Sequence, residues 1–122
     1  LNKIKNILPG PYTVILKKKK ETNLSELVTL DLGTVGVRVP NHLFICQLVE
    51  KFRKPIITTS VNLHGSDSLN TINEIHRAFN KITIFEDSKS NNISSGSTII
   101  DFTYNPEKIL RFGDGDIKWK HI

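Results

Sequence analysis

Methionine is missing from all 122 residues, and cysteine and tryptophan each occur once. A single cysteine, Cys46, excludes an intramolecular disulfide framework, and no Cys or His pair stands at the spacing of a zinc site. A reducing compartment suits such a chain. With no methionine and Leu1 at its head, the sequence is expected to be an excised piece, so a missing motif counts for little. No apolar run approaches the roughly 18 residues of a membrane span. The first residues alternate apolar and polar without the core of a signal peptide. The expectation is a soluble, cytoplasmic protein with no membrane partner. Acidic side chains are scarce as well: 12 Asp and Glu stand against 17 Lys and Arg, and the net charge of +5 favours anionic partners such as nucleotides, nucleic acid or acidic lipid.

What is present suits one domain over residues 1–122, with 38% hydrophobic residues to build one core. Leu1, Ile4, Ile7 and Leu8 recur at helical spacing, and Pro9-Gly10-Pro11 ends that helix. Residues 12–17, "YTVILK", predict a buried strand. The run Lys17 to Lys20 then reads as a solvated strand end entering a loop. RNA contact is the competing reading, and Trp119 between Lys118 and Lys120 offers a similar pairing of stacking and charge. Val35, Val37 and Val39 alternate with Thr34, Gly36 and Arg38, which predicts a half-buried strand closed by Pro40. Asn41 is expected to cap a helix running to about Arg53, with Leu43, Phe44, Leu48, Val49 and Phe52 as its buried stripe and Cys46 as a small packing residue. Pro55 to Ser60 predicts another strand. Thr71 and Glu74 have capping-box spacing for a helix over 71–80, and further strands are expected at 82–86, 97–102 and 109–112, with a turn at Asn105-Pro106. The alternation of strands and helices predicts an α+β fold with a mixed sheet, parallel where a helix crosses over and antiparallel across short turns.

Polar stretches recur beside these strand ends: "PGPYT" (9–13), "VGVRVP" (35–40), "TTSVN" (58–62), "SGSTIID" (95–101) and "RFG" (111–113). Each has an ordinary explanation by itself. Pro-Gly-Pro makes a turn, Thr and Ser are common at strand ends, and Arg38 suits a solvated sheet face. Their conjunction in this order is not ordinary. It resembles the YrdC-like family of threonylcarbamoyl-adenylate synthases, whose motifs look like P-G-P-x-T, V-x-V-R-x-P, S/T-T-S-A-N-x-S-G, S-T-I-x-D and R-x-G, and the likeness runs over nearly the whole chain. The resemblance implies a YrdC-like twisted mixed sheet flanked by helices, here truncated at its N-terminus.

It also implies an activity: L-threonine, bicarbonate and ATP become L-threonylcarbamoyl-AMP and pyrophosphate, for the N6-threonylcarbamoyladenosine at position 37 of tRNA. A downstream tRNA threonylcarbamoyltransferase complex would use the product, and tRNA or double-stranded RNA would be a partner. By the same resemblance Arg38, Thr58 and Ser97 serve L-threonine, while Thr34, Ser60, Asn62, Ser68 and Arg111 serve ATP. No residue is singled out as catalytic. Magnesium is expected to arrive with ATP, and no protein-bound transition metal is expected, because His42, His76 and His121 are scattered. Two departures stand out. The Pro-Thr-(Asp/Glu)-Thr stretch and lysine/arginine motif of the family's N-terminal segment have no counterpart here, and His64 replaces the serine before Gly65. Two other implied readings compete: a non-catalytic nucleotide- or RNA-binding piece, and the YrdC-like domain of a carbamoyl-transfer hydrogenase maturation factor. Asp101 is expected to be structural, and the isolated piece to be poorly soluble through its exposed strand edges.

Overall fold

The computed structural model describes residues 2–22, 24–29, 32–86 and 93–116. The chain separates into two compact units, Leu1–Ile57 with Ser95–Ile122, and Thr58–Ser94.

The first unit holds a four-stranded sheet. Strand β1 (Tyr12–Lys17) lies between β2 (Thr34–Val37) and β3 (Thr98–Asp101), and β4 (Lys108–Arg111) completes the order β2-β1-β3-β4. β1 pairs antiparallel with β2, setting Ile15 against Gly36, and parallel with β3, setting Thr13 against Ile99. β3 and β4 are antiparallel, joined through the turn at Asn105-Pro106, with an irregularity between Ile99 and Ile100. The mixed sheet is the predicted one, and the strands at 12–17, 34–37, 98–101 and 108–111 fall on predicted segments. β-branched residues dominate them because branched side chains pack well on a pleated surface.

Successive side chains point to opposite faces of a strand. One face of this sheet is therefore apolar: Val14 and Ile100 are completely buried and, with Ile7, form the core among the described residues. Helix α1 (Asn2–Ile7) covers them, and Ile4, Leu8, Tyr12, Leu16, Phe102 and Ile109 pack around the cluster. Ile4, Ile7 and Leu8 meet the sheet together because residues three and four apart share one side of a helix. The other face carries Thr34, Gly36, Thr13, Ser97 and Arg111, interspersed with Ile15 and Ile99.

Asp101 is structural, as expected. Its Oδ1 accepts from Thr103 N at 2.8 Å and Thr103 Oγ1 at 2.6 Å, fixing the chain as it leaves β3. The lysine run is likewise a strand end entering a loop: Lys17 closes β1, and Lys18 Nζ donates to Thr29 Oγ1 at 3.1 Å beside the short helix α2 (Glu26–Thr29).

Five expectations fail. Residues 55–60 and 82–86 form no strand: neither segment pairs with the sheet, and residues 55–60 are exposed throughout. A β-rich composition makes a segment able to pair, but a strand exists only where a partner offers its N–H and C=O groups. Helix α3 (Leu43–Phe52) forms as predicted, yet it buries none of its residues; Leu43 is 74% exposed and Phe52 56%. Its N-cap is His42 rather than Asn41. Cys46 is exposed, with Sγ donating to Pro40 O at 3.3 Å, so it is not a packing residue.

In the second unit, helix α4 (Ile72–Ala78) opens with the predicted capping box: Thr71 Oγ1 accepts from Glu74 N, and Glu74 Oε2 accepts from Thr71 N at 3.0 Å. These bonds to Thr71, led by the one from its hydroxyl, hold the Glu74 carboxyl below the ordinary carboxylate range. A depressed folded value stabilises the fold above the unfolded value and ceases to do so as pH falls through the folded one. Amide exchange at Thr71 and Glu74, the two amides the capping box holds, should therefore lose protection below the usual carboxylate range. Thr71→Ala should remove that protection already at neutral pH, and an exchange profile indifferent to both changes would contradict the cap.

Candidate functional site

The polar face of the sheet is organised by Ser97 and Arg111. β4 runs antiparallel to β3 with Ile99 opposite Arg111, so the Arg111 side chain rises beside the start of β3. Its Nε and Nη2 donate to the Ser97 carbonyl at 3.1 and 2.7 Å, and Nη2 also donates to Ser97 Oγ at 3.3 Å. The fork closes on one backbone oxygen as a bidentate clamp, while the Nη1 edge keeps its N–H groups for another acceptor.

The backbone is shaped to allow this approach. Gly96 has φ +81, a conformation in which a side chain is strained, and a Cβ there would stand 3.1 Å from Arg111 Nη2 and push the guanidinium aside by a few tenths of an ångström. Behind the clamp lies Thr98, fully buried, whose hydroxyl accepts from Gly113 N at 3.0 Å and Gly115 N at 3.1 Å and donates to Gly115 O at 2.8 Å. Asp114 N adds a bond to Gly96 O at 2.8 Å, and Asp114 Oδ1 accepts from Ser95 N at 2.9 Å. The segment after Arg111 is thereby folded back over β3. Tyr12 joins from β1, donating to Asp116 O at 2.6 Å, and partial burial followed by the nearby Asp116 charge raises its phenol above the ordinary value.

Of the residues expected at the site, the sheet unit carries Thr34, Arg38, Ser97 and Arg111. Ser97 and Arg111 are in direct contact. Thr34 opens β2 opposite Lys17 and is half-buried. Arg38 follows β2 directly and is exposed; the chain stays paired beyond it through Gly10 N to Val39 O at 2.8 Å, and strand alternation gives it the face of Thr34 and Gly36.

The second unit carries Thr58, Ser60, Asn62 and Ser68. Ser60 Oγ donates to Asn62 Oδ1 at 2.7 Å, and Asn62 Nδ2 donates to the carbonyls of Leu63 and Ser66 at 3.0 and 3.3 Å. Gly65 turns this loop at φ +79, and Leu69 N to Val61 O at 2.8 Å closes it. Asn62 is thus the keystone of the loop. The Ser60 proton is spent on Asn62, so Ser60 offers lone pairs to an incoming group, which suits a ribose hydroxyl or base amine better than a phosphate oxygen. The Ser68 carbonyl accepts from Asn70 Nδ2 at 3.1 Å, and Thr58 is exposed. Among the described residues no group of three or more His, Cys, Asp or Glu side chains could hold a metal, and no helix is long and apolar enough to cross a membrane.

Residues 1–113 match the family model Sua5_yciO_yrdC, described as telomere recombination. The chain is 34% identical over 110 residues to the threonylcarbamoyl-AMP synthase of Pyrococcus abyssi, covering 89% of this chain and 32% of that protein. It is 37% identical over 84 residues to that of Psychromonas ingrahamii, covering 69% and 43%. Among solved structures, Escherichia coli YciO superposes with a TM-score of 0.79 at 31% identity, covering 97% of this chain and 57% of that one. Sua5 of P. abyssi complexed with L-threonine gives 0.75 at 33% identity, covering 89% and 32%. The chain therefore spans a third to under half the length of these curated relatives.

Proposed function

The chain belongs to the Sua5/YciO/YrdC family, and from that premise we propose that it carries part of a threonylcarbamoyl-AMP synthase serving tRNA N6-threonylcarbamoyladenosine formation. One observation carries the reading: the Ser97–Arg111 clamp joins, on the polar face of the sheet, two motif residues that the family pattern gives to different substrates. A relative of the same fold solved with L-threonine supports the amino-acid half.

In this reading Arg38, Thr58 and Ser97 hold L-threonine, and Arg38 pairs with its carboxylate through a planar two-pronged donor. Thr34, Ser60, Asn62, Ser68 and Arg111 serve ATP, Asn62 by shaping the loop that bears Ser60. The threonine amine takes up CO2 from bicarbonate to give a carbamate, its lost proton and the bicarbonate hydroxide leaving as water. A carbamate oxygen then forms a bond to the α-phosphorus of ATP as the bond to the β-phosphate oxygen breaks and pyrophosphate leaves. The protein's task is to align two anions and to stabilise charge gathering at phosphorus, for which the Nη1 edge of Arg111 is suited. Magnesium would arrive with ATP, where it would neutralise phosphate charge and be held by phosphates and water. The net charge of +5 suits tRNA as the eventual acceptor, reached through a downstream transferase in the cytoplasm.

The deciding experiment is pyrophosphate release by the natural full-length chain, with threonine and bicarbonate omitted in turn. Release should need both; release that ignores threonine overturns the reading. Arg38→Ala should cost about 2–5 kcal/mol in threonine-dependent turnover, with an unchanged melting temperature because Arg38 lies off the core face. Unfolding of that variant would make Arg38 a structural residue instead.

A further inference from the structure

The Ser97 hydroxyl is held from two sides. Arg111 Nη2 donates to it at 3.3 Å from β4, and on the opposite neighbour, β1, Thr13 Oγ1 stands 2.6 Å away. The register explains the meeting: Thr98 N donates to Pro11 O at 3.0 Å and Tyr12 pairs with Thr98, so Thr13 and Ser97 rise on the same face of adjacent strands. Ser97 is only 5% exposed, which leaves its hydroxyl little room to find other partners.

A hydroxyl has a single proton and two lone pairs. Arg111 occupies one lone pair. If Thr13 donates, the second lone pair is filled and the Ser97 proton is left for an acceptor such as a carboxylate oxygen. If Ser97 donates to Thr13, its proton is consumed and the remaining lone pair faces a donor such as an ammonium group. In either arrangement Thr13 decides what Ser97 presents and in which direction. Valine at position 13 would keep the shape and delete that control.

We propose that Thr13 is a positioning residue for the amino-acid substrate, acting by orienting the hydroxyl of Ser97. The proposal rests on the assignment of Ser97 to L-threonine made above. It is tested in the natural full-length chain with Thr13→Val and Thr13→Ser, measuring pyrophosphate release against threonine and ATP separately. Thr13→Val should raise KM for threonine about fivefold to tenfold, the size of one lost hydrogen bond, with KM for ATP unchanged, and Thr13→Ser should restore it. An unchanged KM for threonine in the valine variant overturns the proposal, as does a joint fall of both affinities and thermal stability that serine does not rescue. A second readout needs no turnover: three-bond Hα–Hβ couplings of Ser97 should report a single χ1 rotamer in the wild type and averaging in Thr13→Val. If the wild type ignores threonine, the functional reading has failed, and these couplings alone judge the orienting role, with unchanged couplings overturning it.

Discussion

Ile100→Ala is expected to lower the unfolding free energy of the natural chain by about 2–5 kcal/mol, the range for deleting a buried branched side chain and leaving a cavity. Ile100 is completely buried, with Val14 beside it on β1 and Ile109 on β4, so it touches the two pairings that hold β3 in place. The core it belongs to contains only Ile7, Val14 and Ile100 as buried apolar residues among those described. A domain typically has about 5–15 kcal/mol in total. One methyl-rich side chain is therefore a large share of the margin. Urea unfolding followed by circular dichroism should show the midpoint moving down with an unchanged slope. A loss below about 1 kcal/mol, too small for a cavity at a packed position, would mean that the stability resides elsewhere.

Arg111→Ala should damage the proposed chemistry as severely as Arg38→Ala. The side chain clamps the Ser97 carbonyl through Nε and Nη2 and keeps its Nη1 edge for an anion. On the proposed assignment, removing it deletes a charge for the nucleotide and frees the backbone that carries the residue for threonine. A loss of about 2–5 kcal/mol, or thirtyfold to several thousandfold in kcat/KM for ATP, is expected. Arg111→Lys restores the charge without the fork, because an ammonium group cannot present the planar pair of donors that meets Ser97 O. Lysine should therefore recover only a minor part of the activity. Pyrophosphate release at saturating threonine measures both variants. Alanine within threefold of the wild type would remove Arg111 from the nucleotide site.

The strands that proved legible in the sequence are those whose alternation or apolar density coincided with turn chemistry at their ends: Pro9-Gly10-Pro11 before β1, Pro40 after β2 and Asn105-Pro106 between β3 and β4. Helix α4 was legible from two residues, Thr71 and Glu74, because a capping box is local physics. Residues 55–60 and the apolar stripe of α3 misled for a common reason. Composition reports what a segment is able to pair with or bury against, and says nothing of whether a partner is at hand. The motif order implied that Ser97 and Arg111 share one site, and the structure brings the two into direct contact. Their direct bond depends on the β3–β4 register, which no spacing rule supplies. Thr13 was legible only as the last residue of the "PGPYT" motif, with no role attached; its contact with Ser97 appears only once β1 is laid parallel to β3.

That parallel pairing also dictates an order of events at the ribosome. β1 can acquire β2 soon after both emerge, by a local antiparallel closure, but its other neighbour is not made until the ribosome has translated past Asp101. Val14 must wait, solvated, through that whole interval for Ile100 to arrive. Sheets closed by such distant contacts form slowly and stay open to wrong partners meanwhile, so the nascent chain should be a client of holding chaperones until β3 has emerged.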